Sequence, residues 1–168
     1  MDPFHTLGLE PCYDLDLVVA EQHHRDLSRA LHPDRFVGRP ASERRMALSR
    51  AIEVNEAWRV LRDPVRRGEA LLRCHGIEIG ETSGAKASDE LLMEMMEHRE
   101  ALAEVRAERD ARRLQEITLI MKDRETMVVQ SLSQAFSHNP SAAPEMLAEL
   151  RFVRRFLEEA SAVEDELL

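Results

Sequence analysis

The sequence predicts an all-α protein, and three observations carry this prediction. Apolar residues make up 43% of the chain and recur at three- and four-residue steps, which is the spacing of a buried helix face. Strong helix formers (Ala, Leu, Glu, Arg and Met) dominate, and runs of β-branched residues are missing. Aromatic residues are few: five Phe, one Trp and one Tyr. We therefore expect a helical chain with enough apolar surface for a packed core.

Charge and composition exclude several classes of function. Residues 1–75 hold 12 Arg and 12 acidic residues, whereas residues 76–168 hold 11 basic and 20 acidic residues and so carry the whole net charge of −9. An acidic half argues against general binding of nucleic acid. No apolar run approaches the length of a membrane span and no signal-peptide pattern is visible, so we expect a cytoplasmic protein with no membrane partner. Cys12 and Cys74 are then expected as reduced thiols, and the lack of Cys-x-x-Cys argues against a structural zinc site. We expect no metal and no other cofactor.

Four helices are expected in residues 1–75. Their start signals are Asp2-Pro3, Asp14 or Asp16, Ser42 and Asp63-Pro64, and glycine stop signals follow at Gly8 and Gly76. The third helix is expected to bury a face formed by Leu48, Ala51, Ile52, Asn55, Trp58 and Leu61. The second and third helices are joined by a short loop, so they should pack as an antiparallel pair.

The turn between those two helices holds the most informative residues of the chain. Pro33 fixes its own backbone and pushes His32 out of the helical region, so an imidazole and the carboxylate of Asp34 should project from a turn. Arg25 and Arg29 lie four residues apart on the outward face of the preceding helix. An arginine stripe that leads to such a turn is suited to docking an acidic partner. A plain helix stop beside a solvated surface is the alternative.

These residues resemble a J-domain, the module by which co-chaperones stimulate DnaK-type ATPase chaperones. The resemblance rests on two motifs at matching spacing, which are His32-Pro33-Asp34-Arg35-Phe36 and the run IEVNEAWRVLRDP from Ile52 to Pro64. It covers residues 1–75, which we expect to form the domain.

Residues 76–88, rich in glycine and in small or acidic residues, are expected to form a linker. Three amphipathic helices are expected in residues 89–168, and their short connections predict a three-helix bundle. The first apolar stripe is Leu91, Met95, His98, Leu102 and Val105. The second is Leu114, Ile117, Met121, Met127, Val128, Leu132 and Phe136, and the third is Met146, Leu150, Val153, Leu157, Ala160 and Leu167.

Several apolar residues of the bundle do not fit these predicted core faces. They are Leu92, Met93, Met96 and Phe152. Leu92 and Met96 are neighbours at i, i+4, and the charged residues Glu97, Arg99 and Glu100 flank them. An apolar centre with a charged rim is typical of a small protein-binding site, and methionine adapts well to such surfaces. The alternative is a helix buried on two sides, with its extra apolar stripe packed against the J-like domain.

Nearly the whole chain resembles the HscB/Jac family of J-proteins, which is specialised for iron–sulfur cluster assembly. The residues that carry the resemblance are Met1-Asp2-Pro3-Phe4, Leu7-Gly8-Leu9, Trp58, the run LLMEMMEHREAL from Leu91 to Leu102, and Leu150-Arg151-Phe152. The chain departs from the family at Met96 and His98, where aliphatic residues are often found. The resemblance implies a J-domain followed by a scaffold-binding bundle at 89–168, in an L-shaped arrangement.

In that family the J-domain recruits the chaperone HscA, and the bundle holds the cluster scaffold IscU. The resemblance implies that the chaperone contacts are His32, Pro33, Asp34, Arg25 and Arg29. It implies that the scaffold contacts are Leu92, Met93, Met96, Glu97, Arg99, Glu100 and Phe152. No nucleophile or oxyanion motif accompanies His32 and Asp34, so we expect a co-chaperone that does no bond chemistry itself. Two alternatives stay open: a general J-domain co-chaperone for unfolded clients, and a helical regulatory subunit with no chaperone role.

Overall fold

A computed structural model describes residues 2–77 and 88–167, and every regular element within these ranges is helical. The all-α prediction is therefore confirmed. The chain divides into two compact units, residues 1–77 and 78–168. The first unit contains α1 (Pro3–Leu7), α2 (Leu17–Ala30), α3 (Ala41–Arg62) and α4 (Pro64–Cys74), with a 3₁₀ turn at Pro33–Phe36. The second contains α5 (Asp89–Glu108), α6 (Ala111–His138) and α7 (Ala143–Leu167), with a 3₁₀ turn at Pro140–Ala142. Most of the predicted linker, residues 78–87, lies outside the described residues.

The helix ends follow the capping signals of the sequence at most positions. Side-chain caps are made by Asp2 on α1, Asp16 on α2, Asp63 on α4, Ser88 on α5 and Asp110 on α6. Gly8 and Gly76 follow α1 and α4 with φ of +66° and +70°, a left-handed conformation that glycine adopts without strain. Ser42 does not cap α3, because that helix already begins at Ala41 and its first turn has no side-chain cap.

The core of the first unit forms where α3 packs against α1, α2 and α4. The residues that α3 buries there are Ala47, Val54, Ala57 and Leu61. The prediction that Leu48, Ile52 and Asn55 are buried is wrong: the side chains of Leu48 and Ile52 are 57% and 61% exposed, and Asn55 is exposed as well. The buried face of α3 thus runs through Ala47, Val54, Ala57 and Leu61, and Leu48 and Ile52 lie on its outward side.

The second unit is a three-helix bundle in which α7 contacts both α5 and α6. Its core cluster contains Leu91, Leu102, Val105, Leu114, Met121, Phe152, Val153, Phe156, Ala160 and Val163. The predicted stripe of α5 is confirmed, and that of α6 is confirmed except for Met127, which is 67% exposed. Met127 points outward because its neighbour Val128 occupies the inward position on the same turn.

Candidate functional site

The turn formed by His32, Pro33 and Asp34 is held by its own backbone. Pro33 opens the 3₁₀ turn, and the backbone N–H of Arg35 donates to the carbonyl oxygen of His32 at 3.0 Å. His32 has φ −59° and ψ 134°, the extended conformation that a residue before proline prefers. The side chains of His32 and Asp34 are 59% and 85% exposed, so both groups project from the surface as predicted.

One nitrogen of His32 ties the imidazole to Asp34. The backbone N–H of Asp34 donates to Nδ1 of His32 at 3.3 Å, and a carboxylate oxygen of Asp34 lies 3.5 Å from the same nitrogen. The first contact needs Nδ1 without a proton, whereas a hydrogen bond from Nδ1 to the carboxylate would need a proton on that nitrogen. The neutral ring with its proton on Nε2 satisfies the first contact and leaves the Asp34 carboxylate available to accept hydrogen bonds from a partner.

A helical hairpin formed by α2 and α3 carries this turn. A cavity of about 280 Å³ lies between the end of α2, the turn and the start of α3, and Leu31, Phe36 and Ala51 are among its lining residues. Farther from the turn, Nε2 of His24 lies 2.9 Å from Oδ1 of Asn55, and the His24 ring stacks on Trp58. The end of α2 therefore faces the start of α3, and the middle of α2 faces later residues of α3. The predicted antiparallel pair is confirmed.

Arg25 and Arg29 lie on α2 beside the turn and are well exposed, at 57% and 75% of their side-chain surface. Each contacts a carboxylate of its own helix: Arg25 Nη2 lies 2.6 Å from Glu21 Oε1, and Arg29 Nη1 lies 3.6 Å from Asp26 Oδ1. Exposed pairs of this kind contribute about 0–1 kcal/mol. Either arginine can therefore exchange its partner for an acidic group of another protein with little loss of stability.

The outward face of α5 forms a second exposed surface, which we call the α5 surface. It consists of Leu92, Met93, Met96, Glu97, Arg99 and Glu100. The apolar side chains of Leu92, Met93 and Met96 are 46%, 64% and 64% exposed, and the three charged residues are exposed as well. The structure thus places on one face of a single helix six of the seven residues for which the family resemblance implies scaffold contact.

Phe152 is not part of the α5 surface. Its side chain is only 4% exposed and belongs to the core cluster of the bundle. The prediction that Phe152 lies at the surface is wrong, because α7 turns this ring beneath α5. There the ring of His98 on α5 stacks on Phe152 and meets the ring of Phe156 edge-on. Phe152 therefore supports α5 from behind.

His98 is the ionisable group of this aromatic cluster. Burial lowers the pKa of His98 and the positive charge of Arg124 lowers it further, whereas the carboxylates of Glu94 and Glu97 act in the opposite direction. A neutral imidazole is consistent with its position against two phenyl rings, because a charged ring would lose hydration there.

Arg124 on α6 fastens α5 to α7. Its Nη2 donates to Glu94 on α5 and its Nε donates to Glu149 on α7, both at 2.7 Å. Burial lowers the pKa of Arg124, but the hydrogen bonds to Glu94 and Glu149 together with the negative charges of both carboxylates raise the pKa on balance. Glu94 lies within the run of residues that forms the α5 surface, so this clamp fixes the position of that surface. Sequence reasoning missed it because helical periodicity does not reveal which charges meet across helices.

The remaining histidines of α2 have structural partners. Nδ1 of His23 lies 2.9 Å from the carbonyl oxygen of Leu7, and His24 contacts Asn55 as described above. Within residues 2–77 and 88–167, no group of three or more His, Cys, Asp or Glu side chains is arranged to hold a metal ion. In the same part of the chain, no helix combines the length and apolar character needed to cross a membrane.

A helical hairpin with an exposed His-Pro-Asp turn, together with a separate three-helix bundle, defines the class of J-domain proteins that carry a C-terminal bundle. The family model described as HSCB C-terminal oligomerisation domain matches residues 87–161. A curated relative, the co-chaperone protein HscB homolog of Shewanella baltica (strain OS185), is 28% identical over 100% of this chain and 99% of its own length.

Solved structures agree with this comparison. The chaperone HscB from Vibrio cholerae is 30% identical, with a TM-score of 0.88 over 100% of both chains. The human co-chaperone protein HscB is 28% identical, with a TM-score of 0.89 over 98% of this chain and 82% of the human one. The chain belongs to the HscB family of co-chaperones.

Proposed function

We propose that this protein is an adaptor co-chaperone that binds an iron–sulfur cluster scaffold of the IscU type and delivers it to a DnaK-type chaperone of the HscA type in the cytoplasm. One observation carries the proposal: a single chain presents two exposed and chemically different surfaces on separate units. These are the His32-Pro33-Asp34 turn on the first unit and the α5 surface on the second. Membership of the HscB family supports this proposal over a regulatory subunit with no chaperone role.

The first surface acts on the chaperone. Arg25 and Arg29 attract an acidic region of the ATPase, and the exposed carboxylate of Asp34 accepts hydrogen bonds from it. Contact with the turn then biases the chaperone toward ATP hydrolysis, which locks it on its client. The co-chaperone itself does no bond chemistry, because His32 and Asp34 work here as a binding pair without a nucleophile.

The second surface holds the scaffold. Leu92, Met93 and Met96 supply the apolar contact, and the charged residues around them set the orientation. Phe152 acts indirectly in this proposal, by supporting α5 from behind.

We assign the chaperone contact to a J-domain at 1–75 and the scaffold contact to a domain at 89–168. A protein that holds both partners raises their effective concentration near each other, so two weak affinities are enough to bring chaperone and scaffold together.

The experiment is an ATPase assay with purified HscA-type chaperone, with and without IscU-type scaffold. Wild-type protein should stimulate ATP hydrolysis and scaffold should increase the stimulation. Asp34→Asn should abolish stimulation while retaining scaffold binding, and the matched control Asp123→Asn, at an exposed position of α6, should behave as wild type. Full stimulation by Asp34→Asn would refute the role of the turn. Displacement of bound scaffold by an unfolded peptide would favour a general co-chaperone.

A further inference from the structure

The α5 surface is too small to be a complete binding site. A standard protein–protein interface takes about 20–30 residues from each partner, whereas the α5 surface consists of only the six residues that define it. A partner that covers Leu92 and Met96 must therefore also touch neighbouring parts of the bundle.

A groove between α5 and α7 begins where the α5 surface ends. It encloses about 660 Å³ and shares Arg99 with the α5 surface. The buried residues Leu102 and Val163 lie among its lining residues, together with the exposed alanines Ala103, Ala107 and Ala162. Alanine side chains leave space between the two helices, so the groove is open to an incoming side chain or segment.

Two ion pairs that join α5 to α7 also line the groove. Nη2 of Arg99 lies 3.7 Å from Oε1 of Glu159. Nε and Nη2 of Arg106 donate to the two carboxylate oxygens of Glu166 at 2.7 and 2.8 Å. The groove lining thus includes two arginines and two glutamates, and Glu159 also pairs with Arg155 at 3.1 Å. The groove therefore presents an apolar floor without a net charge, and this chemistry suits an apolar segment better than a charged one.

We propose that this groove binds an apolar segment of the same scaffold that the α5 surface binds, so that the two form one continuous docking site. This inference rests on the proposed function. Met96, Arg99, Ala103 and Ala107 follow one another at three- and four-residue steps and so lie on one side of α5. A partner that covers Met96 and extends along the helix axis reaches the groove without leaving this side.

The test compares scaffold affinity, by calorimetry with purified IscU-type scaffold, for three variants of the full chain. Ala103→Gln/Ala107→Gln fills the groove with polar side chains at exposed positions where glutamine is a good helix former. Ile120→Gln/Met127→Gln is the matched control, because these residues are 60% and 67% exposed on α6, away from the groove. Leu92→Ser/Met96→Ser is the reference that removes the apolar centre of the α5 surface.

The groove variant should weaken binding at least tenfold, and the α6 variant should bind within twofold of wild type. Wild-type affinity of the groove variant would overturn the inference, and so would an equal or larger loss in the α6 variant. The reference variant separates failure of this inference from failure of the proposed function. If the α5 surface does not bind scaffold at all, Leu92→Ser/Met96→Ser will bind scaffold as well as wild type. Circular dichroism and thermal unfolding should show the same helix content and melting temperature for all three variants, so a loss of binding is not a loss of fold.

Discussion

The imidazole of His98 stacks on the phenyl ring of Phe152, with 6.4 Å between the ring centroids. This contact joins α5 to α7 directly behind the α5 surface, because His98 is only two residues from Met96 on the same helix. The exposed side chains of α5 are thus backed by an aromatic cluster in which the Phe152 ring is buried. Presentation of the surface and packing of the core are coupled through these rings.

Phe152→Ala should destabilise the protein. Removing a buried phenyl ring costs about 3–5 kcal/mol in typical cores, and Phe152 is 4% exposed. Urea unfolding measures the change in the free energy of unfolding. Met93→Ala is the control, because that side chain is 64% exposed and its loss should cost less than about 0.5 kcal/mol. A cost for Phe152→Ala as small as that of the control would contradict the buried position of the ring.

Lowering the pH should destabilise the wild type through His98. Its pKa is depressed below the ordinary value of 6.5 by burial and by Arg124, so the unfolded chain binds the proton at a higher pH than the folded chain. Stability should therefore be unaffected by this group above pH 6.5 and should fall as the pH is lowered through 6.5 toward the folded pKa.

The measurement for His98 is urea unfolding of the wild type and of His98→Gln across this pH range. All other groups titrate equally in the two proteins, so the difference in their free energies of unfolding isolates His98. The wild type should lose more stability than the variant as the pH falls. Identical pH dependence, or a larger loss in His98→Gln, would show that the folded pKa is not depressed.

Arg124→Met should weaken the bundle by about 1–3 kcal/mol. The Arg124 side chain is 25% exposed, so its ion pairs are partly buried. The expected loss therefore lies between the contribution of an exposed ion pair, about 0–1 kcal/mol, and the cost of breaking a buried ion pair, about 3–5 kcal/mol. Arg112→Met is the control, since Arg112 is 90% exposed and pairs with Glu116 of its own helix α6. Thermal unfolding compares the two variants, and equal melting temperatures would rule out a clamp function for Arg124.

Removal of the arginines on α2 should weaken chaperone docking mainly at low salt. Arg25→Gln/Arg29→Gln should raise the concentration of co-chaperone needed for half-maximal ATPase stimulation, and the difference from wild type should shrink as ionic strength rises. Arg50→Gln/Arg59→Gln is the matched control, because both of its arginines are 59–67% exposed and pair at i, i+3 on α3. A salt-independent difference, or an equal effect of the control, would contradict electrostatic docking along α2.

Capping chemistry is local, and this is why the sequence alone predicts the helix boundaries well. Asp63 and Pro64 mark the start of α4 independently of tertiary contacts, because the capping hydrogen bond joins residues only three positions apart. The same holds for the turn at Pro33, whose ring restricts its neighbours wherever it stands.

The direction in which each helix face points depends on its neighbours, so part of the candidate site could not be predicted. Phe152 lies off the regular apolar stripe of α7, yet it is buried because α5 covers it as well. The carboxylates of Glu94 and Glu149 lie 30 and 25 residues from Arg124 in the chain, and no pattern in one sequence pairs charges across that separation.

The most direct test of the tethering function mixes two full-length variants, each of which is defective at a different one of the two surfaces. Asp34→Asn retains the α5 surface, and Leu92→Ser/Met96→Ser retains the turn. Since one molecule must hold chaperone and scaffold together, the mixture should give no scaffold-dependent increase in ATPase stimulation, whereas the same amount of wild type gives the full increase. Recovery of the wild-type increase by the mixture would contradict tethering by a single chain.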